Sequence, residues 1–165
     1  MTSQRYDFFY FEGVRHPIVA AAPIPFIPAE FGLLYGGMLS TACYRGFYAD
    51  YEAVDQRLRW HELRLSVHPR DLQSVMDGRV FGRPPDQVTG DAITYHNLGC
   101  DYDGTLIVKM LSSPSSPIAA DHKYREFVFQ HGSLVAERPL AAVPQGMRSK
   151  TSWVDLGEIL WRPPE

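Results

Sequence analysis

The sequence is short of several features that define common protein classes. Its 165 residues include two cysteines, Cys43 and Cys100, too few for a disulfide scaffold or a zinc site built from cysteines, so we expect two free thiols. No apolar stretch approaches the roughly 20 residues that a membrane-spanning helix needs. The formal net charge of −3 also lacks the basic excess typical of nucleic-acid-binding proteins.

Targeting and catalytic motifs are absent as well. The amino terminus lacks the basic and then apolar order of a signal peptide, and the apolar stretch at residues 18–28 is broken by prolines. We therefore expect a cytoplasmic protein that binds neither membranes nor nucleic acids. Neither a phosphate-binding glycine loop, a nucleophile elbow nor a dinucleotide fingerprint occurs, so no cofactor and no metal are predicted.

What the sequence does contain is a recurring pattern of strand, short polar turn and strand. The turns fall at Glu12-Gly13, Asp55-Gln56, Asp103-Gly104 and His131-Gly132. A tight type I′ turn needs positive φ at both central positions, which Asp and Gly tolerate, so the Asp-Gly pair is the strongest of the four signals. The pattern predicts one mainly β domain spanning residues 1–165, an antiparallel β-sandwich or a partly closed barrel built from hairpins.

Helix is scarce in the sequence. Residues 69–78, PRDLQSVMDG, predict one short helix with a proline near its start and a glycine as its stop. Residues 28–38 allow another turn or two, and residues 151–161 fit a helix and a strand almost equally well. We therefore expect one or two short helices beside the strands.

Two polar segments need a choice between alternatives. The stretch from Asp101 to Gly104 begins like a calcium-binding loop, but no closing glutamate follows, so we expect a hairpin turn there. In the His131-Gly132 hairpin, a two-residue loop would set Glu126 against Glu137. A three-residue loop with a bulge would set Glu126 against Arg138, and opposite charges favour this register.

Residues 43–67 concentrate aromatic and arginine side chains in one long hairpin. A two-residue turn at Asp55-Gln56 pairs Val54 with Arg57 and fixes the register outward from there. The predicted pairs are Ala53–Leu58, Glu52–Arg59, Tyr51–Trp60, Asp50–His61, Ala49–Glu62, Tyr48–Leu63, Phe47–Arg64 and Tyr44–Val67. In this register Asp50 would favour a protonated His61.

The two faces of this hairpin exchange character halfway along. The face with Tyr51 is apolar near the turn, whereas the face with Tyr48 is apolar near the open end. A twisted hairpin that bends through Gly46, or through a bulge near Glu62, would produce this exchange. Most of the aromatic side chains are therefore expected to be structural.

A polar cluster remains at the open end of the hairpin. In the predicted register Arg45, Glu62 and Arg64 share the face of Tyr51 and Trp60. Three interpretations fit this cluster: a solvated sheet face, an Arg–Glu pair that seals the end of the core, or a binding patch. Arginine, tyrosine and tryptophan are favoured at interface hot spots, and arginine also grips carboxylates and phosphates. The predicted partner- or ligand-binding residues are Tyr44, Arg45, Tyr48, Tyr51, Trp60, His61, Glu62 and Arg64.

Three classes of function fit these observations. The first is a non-catalytic binding protein, of the inhibitor or immunity type, that engages a protein partner through the hairpin at residues 43–67. The alternative is a small-molecule-binding or catalytic β-barrel with an Arg/Glu/His cluster at its mouth. The third is an assembly subunit that forms homo-oligomers through exposed strand edges. We expect the first class, and hence a protein that is not an enzyme.

Overall fold

The computed structural model describes residues 5–112, 118, 122–149 and 161–163. Its strands are β1 (Phe8–Phe11), β2 (Val14–Ala22), β3 (Phe47–Val54), β4 (Arg57–Ser66), β5 (Gln87–Thr89), β6 (Ala92–Gly99), β7 (Gly104–Lys109), β8 (Tyr124–Gln130), β9 (Ser133–Leu140) and β10 (Arg148–Ser149). Within these ranges two short helical segments fall where the sequence allows them, the helix α1 (Leu72–Met76) and a 3-10 turn (Pro28–Phe31). Residues 151–160, where helix and strand fit equally well, lie outside the described residues.

Seven of these strands close into a barrel. Their order is β3-β1-β2-β7-β8-β9-β4, and β4 pairs again with β3. Strands β6 and β5 extend the sheet from β4, and β10 joins β2. The β1–β3 pair is parallel, and the other strand pairs of the described residues are antiparallel. The mainly β fold built from hairpins is therefore confirmed, and the architecture is the barrel, fully closed, rather than the sandwich.

Three of the four predicted turns join neighbouring strands as expected. Each is a two-residue turn whose central residues both have positive φ, as a type I′ hairpin requires. The angles are 51° and 78° at Glu12-Gly13, 51° and 67° at Asp55-Gln56, and 48° and 76° at His131-Gly132. These turns close the β1–β2, β3–β4 and β8–β9 hairpins.

The hairpin predicted at Asp103-Gly104 is wrong. Strand β6 pairs with β4 and β5, whereas β7 pairs with β2 and β8. Gly104 serves close packing at the start of β7, because a Cβ there would lie 2.5 Å from the Tyr102 hydroxyl oxygen and 2.6 Å from Pro23. That hydroxyl group donates a hydrogen bond of 2.6 Å to the Pro23 carbonyl oxygen. Gly104 is therefore required by the close packing of Tyr102 and Pro23. The Asp-Gly pair is typical of a hairpin turn, but no hairpin forms there.

The β3–β4 hairpin contains a bulge at His61. Its register is the predicted one from the turn to the Tyr51–Trp60 pair, and then Asp50 faces Glu62 with His61 as the extra residue. Beyond the bulge the predicted register is wrong by one residue. The observed pairs there are Ala49–Leu63, Tyr48–Arg64 and Phe47–Leu65. Because the extra residue interrupts the in-and-out alternation of the strand, Trp60 and Leu63, three positions apart, both point inward.

The β8–β9 hairpin also differs from the expectation in detail. Glu126 faces Arg138 as predicted, and the Arg138 Nε donates a 2.9 Å hydrogen bond to Glu126 Oε1. The loop has two residues instead of three, since Gln130 pairs with Ser133. A bulge at Val135 then shifts the register and brings the opposite charges together.

Aromatic side chains fill the barrel interior. The rings of Phe9 and Phe127 pack with centroids 4.5 Å apart, and Phe26 contacts Phe47 and Trp60 with centroids 4.9 and 5.5 Å away. Burial of this apolar surface is the main stabilising contribution, of roughly 1.5–3 kcal/mol per large side chain. Cys43 and Cys100 are buried free thiols. No helix in the described ranges is long and apolar enough to cross a membrane.

Candidate functional site

Two of the predicted site residues belong to the core. Tyr51 is 0% exposed and Trp60 is 5% exposed, and their ring centroids lie 6.5 Å apart inside the barrel. Burial raises the pKa of Tyr51 well above its ordinary value. Both side chains are therefore unavailable to a partner, which corrects their placement on a binding face.

Arg45 is also held inside the protein. Its guanidinium group pairs with the carboxylate of Asp7, and the two side chains are 10% and 1% exposed. The Arg45 Nε donates a 2.9 Å hydrogen bond to the Phe47 carbonyl oxygen, and Asp7 Oδ1 accepts another of 2.9 Å from the Ala49 backbone N–H. The arginine fastens the amino-terminal segment to the start of β3.

Glu62 and Arg64 lie on the outer face of the barrel, each with a separate partner. The Tyr48 hydroxyl group donates a 3.0 Å hydrogen bond to Glu62 Oε1, and Arg64 Nη1 donates one of 3.0 Å to Thr94 Oγ1. Burial, aided by the Glu62 carboxylate, raises the pKa of Tyr48 to about 12. The predicted Arg45–Glu62–Arg64 cluster does not form, because the bulge shifts the strand and Arg45 turns inward.

His61 likewise has partners other than the predicted one. Its ring lies 4.3 Å from the ring of Tyr10, and its Nδ1 lies 3.3 Å from Glu52 Oε1. Asp50, which was expected beside it, instead pairs with Arg5 at 3.0 Å and Arg15 at 3.4 Å. Burial raises the pKa of Asp50, and the two guanidinium groups oppose that shift.

Two arginines lie over aromatic rings on this outer face. The Arg5 guanidinium carbon is 3.5 Å from the Tyr48 ring centroid, and that of Arg15 is 3.7 Å from the Phe8 ring centroid. Each contact stabilises the fold by about 0.5–1 kcal/mol at a partly exposed position. Arg5 thereby links the amino-terminal segment to β3.

Large exposed side chains lie instead on the loop before β3 and on the amino-terminal segment that is hydrogen-bonded to it. We call this set the tyrosine patch; its members are Tyr6, Tyr35, Met38 and Tyr44, which are 38%, 44%, 55% and 47% exposed. Three of them lie on the loop at residues 35–46. The Arg5 backbone N–H donates a 2.6 Å hydrogen bond to the Ala42 carbonyl oxygen, which brings Tyr6 to the same loop.

The loop that carries the tyrosine patch is held from beneath. The Tyr35 hydroxyl group donates a hydrogen bond to the Tyr44 carbonyl oxygen, and the Tyr35 ring packs 5.5 Å from the ring of Trp161. Gly46 permits the close approach, since a Cβ there would lie 2.7 Å from the Gly37 carbonyl oxygen. The patch therefore sits on a loop with a defined conformation.

Sequence reasoning identified Tyr44 but missed Tyr6, Tyr35 and Met38. The available signal was the composition of residues 35–46, which include large apolar side chains and three glycines and show neither strand nor helix periodicity. Such side chains have no regular element to carry them into the core. They are therefore candidates for an exposed apolar surface.

A depression of about 580 Å³ opens at one end of the barrel, beside the β1–β2 and β3–β4 turns. None of the eight predicted site residues lines it. Its lining includes the acidic residues Glu12, Asp55 and Glu137 rather than an Arg/Glu/His cluster. The lining of this depression therefore differs in charge from the Arg/Glu/His cluster that we expected at the mouth of a small-molecule-binding or catalytic barrel.

One further group of polar side chains combines metal-ligand types. Asp101, Asp103 and His131 place one potential ligand atom each within 4.8 Å of one another, and all three are exposed. Asp103 Oδ1 already accepts a 2.7 Å hydrogen bond from the His131 backbone N–H. In the described structure this carboxylate therefore fastens the β8–β9 turn to the segment before β7.

Comparison of the chain with protein-family models, curated proteins and solved structures finds no match.

Proposed function

We propose that the protein is a non-catalytic binding protein, of the inhibitor or immunity type, that engages a protein partner through the tyrosine patch. The observation that carries this proposal is the exposure of Tyr6, Tyr35, Met38 and Tyr44 around one supported loop. Large apolar side chains that are exposed together on one supported loop are typical of interaction sites.

The composition of the patch favours a protein as the partner. Tyrosine and methionine are enriched in protein interfaces, whereas lysine and glutamate are depleted from their centres. Tyrosine offers a large apolar ring with few rotatable bonds and a hydroxyl group at its tip. A protein surface with both apolar and hydrogen-bonding groups complements such side chains.

The charge of the chain favours a basic partner. With a formal net charge of −3, long-range attraction would speed encounter with a basic surface, and this effect would weaken with added salt. Arg45, which we expected at the surface, instead holds the loop through its ion pair with Asp7. The apolar patch then supplies the contact, and the net charge supplies the steering.

The proposal is tested by co-purification from the native cells with quantitative mass spectrometry. The tagged wild type is compared with the double variant Met38→Asp/Tyr44→Ser, which makes the patch polar. The matched control is Val88→Asp/Val135→Ser, which removes two exposed apolar side chains on β5 and β9. All three proteins are first shown to have the same far-UV circular dichroism, and the mass of each in solution is measured.

We expect one stoichiometric protein partner with the wild type and with the control, and its loss from the patch variant. A partner that stays bound to the patch variant contradicts the proposed site. Absence of any stoichiometric partner contradicts the proposed function. Self-association of the wild type that the patch variant abolishes would favour the assembly subunit instead.

A further inference from the structure

The turn between β8 and β9 meets the segment before β7 at the seam of the barrel, where β9 pairs with β4. The Gly132 carbonyl oxygen accepts a 2.7 Å hydrogen bond from the Leu58 backbone N–H, and the Gly132 backbone N–H donates one of 3.0 Å to the Tyr102 carbonyl oxygen. A Cβ at Gly132 would lie 2.6 Å from the Cys100 carbonyl oxygen. The turn and the segment are therefore held at a fixed, close separation.

Three side chains with metal-binding atoms converge at this junction. Asp101 and Asp103 come from the segment and His131 comes from the turn, and one potential ligand atom of each lies within 4.8 Å of the others. Asp103 Oδ2 and His131 Nδ1 are 3.6 Å apart. Two ligand atoms that share one zinc ion, each about 2.1 Å from the metal, lie roughly 3.4 Å apart at the tetrahedral angle. The observed separation is therefore close to the one that a shared ion requires.

The Asp103 carboxylate is already oriented for this role. Its Oδ1 accepts a 2.7 Å hydrogen bond from the His131 backbone N–H, and its Oδ2 is the oxygen that lies nearer the imidazole Nδ1. Hydrogen bonds of this kind commonly fix the direction of a metal-binding carboxylate. One oxygen thus holds the turn while the other is left for an ion.

The charge of this group is not compensated by a basic side chain. In the part of the chain that the structure describes, neither Asp101 nor Asp103 forms an ion pair with a lysine or an arginine. Two carboxylates beside an imidazole attract a cation. All three side chains are exposed, so an ion can reach them directly and complete its coordination with water.

The imidazole of His131 decides which class of cation fits. Mg²⁺ and Ca²⁺ prefer sites whose ligands are all oxygen atoms. One nitrogen together with two carboxylates suits zinc and other first-row transition metals. The combination of ligand types therefore distinguishes this group from a cluster of acidic residues alone.

We propose that Asp101, Asp103 and His131 bind one divalent transition-metal ion, of which Zn²⁺ is the probe. The ion cross-links the β8–β9 turn to the segment before β7 and so fastens the seam of the barrel. The site lies near the turn of the β3–β4 hairpin, whereas the tyrosine patch lies on the loop before β3. Metal binding is therefore independent of the proposed protein partner.

The test is isothermal titration calorimetry of the chelator-treated protein, without a histidine tag, with zinc chloride and separately with calcium chloride. The variant His131→Asn removes the imidazole and keeps both carboxylates, and asparagine tolerates the positive φ of 48° at this turn. Asp101→Asn removes a second ligand. The control His122→Asn makes the same replacement at another exposed histidine. Far-UV circular dichroism establishes that each variant is folded.

We expect the wild type and His122→Asn to bind one Zn²⁺ per chain. His131→Asn and Asp101→Asn should each weaken zinc binding by at least about tenfold, since even the loss of a group that only orients a ligand costs about 10–100-fold. Calcium should bind the wild type at least about tenfold more weakly than zinc. Saturating zinc should raise the melting temperature of the wild type by about 5 °C and leave that of His131→Asn nearly unchanged.

Three results would overturn the inference. The first is the absence of zinc binding at a ratio of one per chain with a dissociation constant below about 100 μM. The second is equal affinity of the wild type for calcium and zinc, which would reduce the site to exposed negative charge. The third is unchanged zinc binding in His131→Asn. Each leaves the proposed function intact, since that function depends on a different surface.

Discussion

The carboxylate of Asp7 and the guanidinium group of Arg45, 38 residues apart in the sequence, form an ion pair inside the protein. The same carboxylate accepts the backbone N–H of Ala49. The pair thus ties the amino-terminal segment, the start of β3 and the loop of the tyrosine patch to one another. Its integrity decides whether the patch is presented in one conformation.

Replacing Asp7 with asparagine should destabilise the fold strongly. The change leaves the Arg45 cation buried without its counter-charge, and breaking a buried pair in this way costs about 3–5 kcal/mol. Urea denaturation followed by circular dichroism measures the difference in free energy of unfolding. The control Glu126→Gln breaks the more exposed pair with Arg138 and should cost about 1 kcal/mol or less. Equal costs for the two variants would show that the Asp7–Arg45 pair is not a structural anchor.

Deleting His61 should destabilise the fold far more than replacing it with another residue. The residue is the extra one of the β3–β4 bulge, and without it either Trp60 or Leu63 must turn to the outer face. Loss of one such buried side chain costs about 2–5 kcal/mol. His61→Ala keeps the bulge and should cost about 1 kcal/mol or less. Thermal unfolding compares the two proteins, and a deletion variant as stable as His61→Ala would refute this account of the bulge.

The stability of the protein should fall as the pH drops below neutrality because of His16. Burial lowers the pKa of His16 below 6.5, and its Nδ1 accepts a 2.9 Å hydrogen bond from the Leu111 backbone N–H. Between 6.5 and the lowered pKa the unfolded chain binds more protons than the folded one, so acid favours unfolding in that window. The raised pKa of Asp50 acts with the opposite sign at lower pH.

Melting temperatures measured from pH 7.5 down to about pH 5.5 test this dependence. The variant His16→Gln should have a lower melting temperature than the wild type at pH 7.5. Its melting temperature should fall less than that of the wild type between pH 7.5 and about pH 5.5. The control His131→Gln replaces a highly exposed histidine of the β8–β9 turn and should decline like the wild type. A decline that His16→Gln leaves unchanged would assign the effect to other groups.

The turns were the most predictable part of the fold, because their chemistry is local. Glu12-Gly13, Asp55-Gln56 and His131-Gly132 adopt positive φ angles wherever the flanking strands pair. Asp103-Gly104 carries the strongest local signal and yet forms no hairpin. There the decisive contact is with Pro23, about 80 residues away in the sequence, which local reasoning does not include.

The site was less predictable than the fold because it depends on distant contacts. Arg45 is drawn inward by Asp7, and one inserted residue, His61, moves Glu62 and Arg64 to the outer face with other partners. The exchange of faces did indicate a bend or bulge near Glu62. The exact position of the bulge depends on how Trp60 and Leu63 pack in the core. This packing is visible only in the three-dimensional structure.

The most direct test of the central claim is the affinity of Tyr44→Ala for the partner that co-purifies with the wild type. Biolayer interferometry with the purified partner measures it, with Val135→Ala as the matched control on β9. If the tyrosine patch is the contact, Tyr44→Ala should weaken binding by about 30-fold, the loss expected at an interface hot spot of 2 kcal/mol, and Val135→Ala should not. Equal dissociation constants for the wild type and both variants would contradict the proposal and locate the contact elsewhere on the barrel.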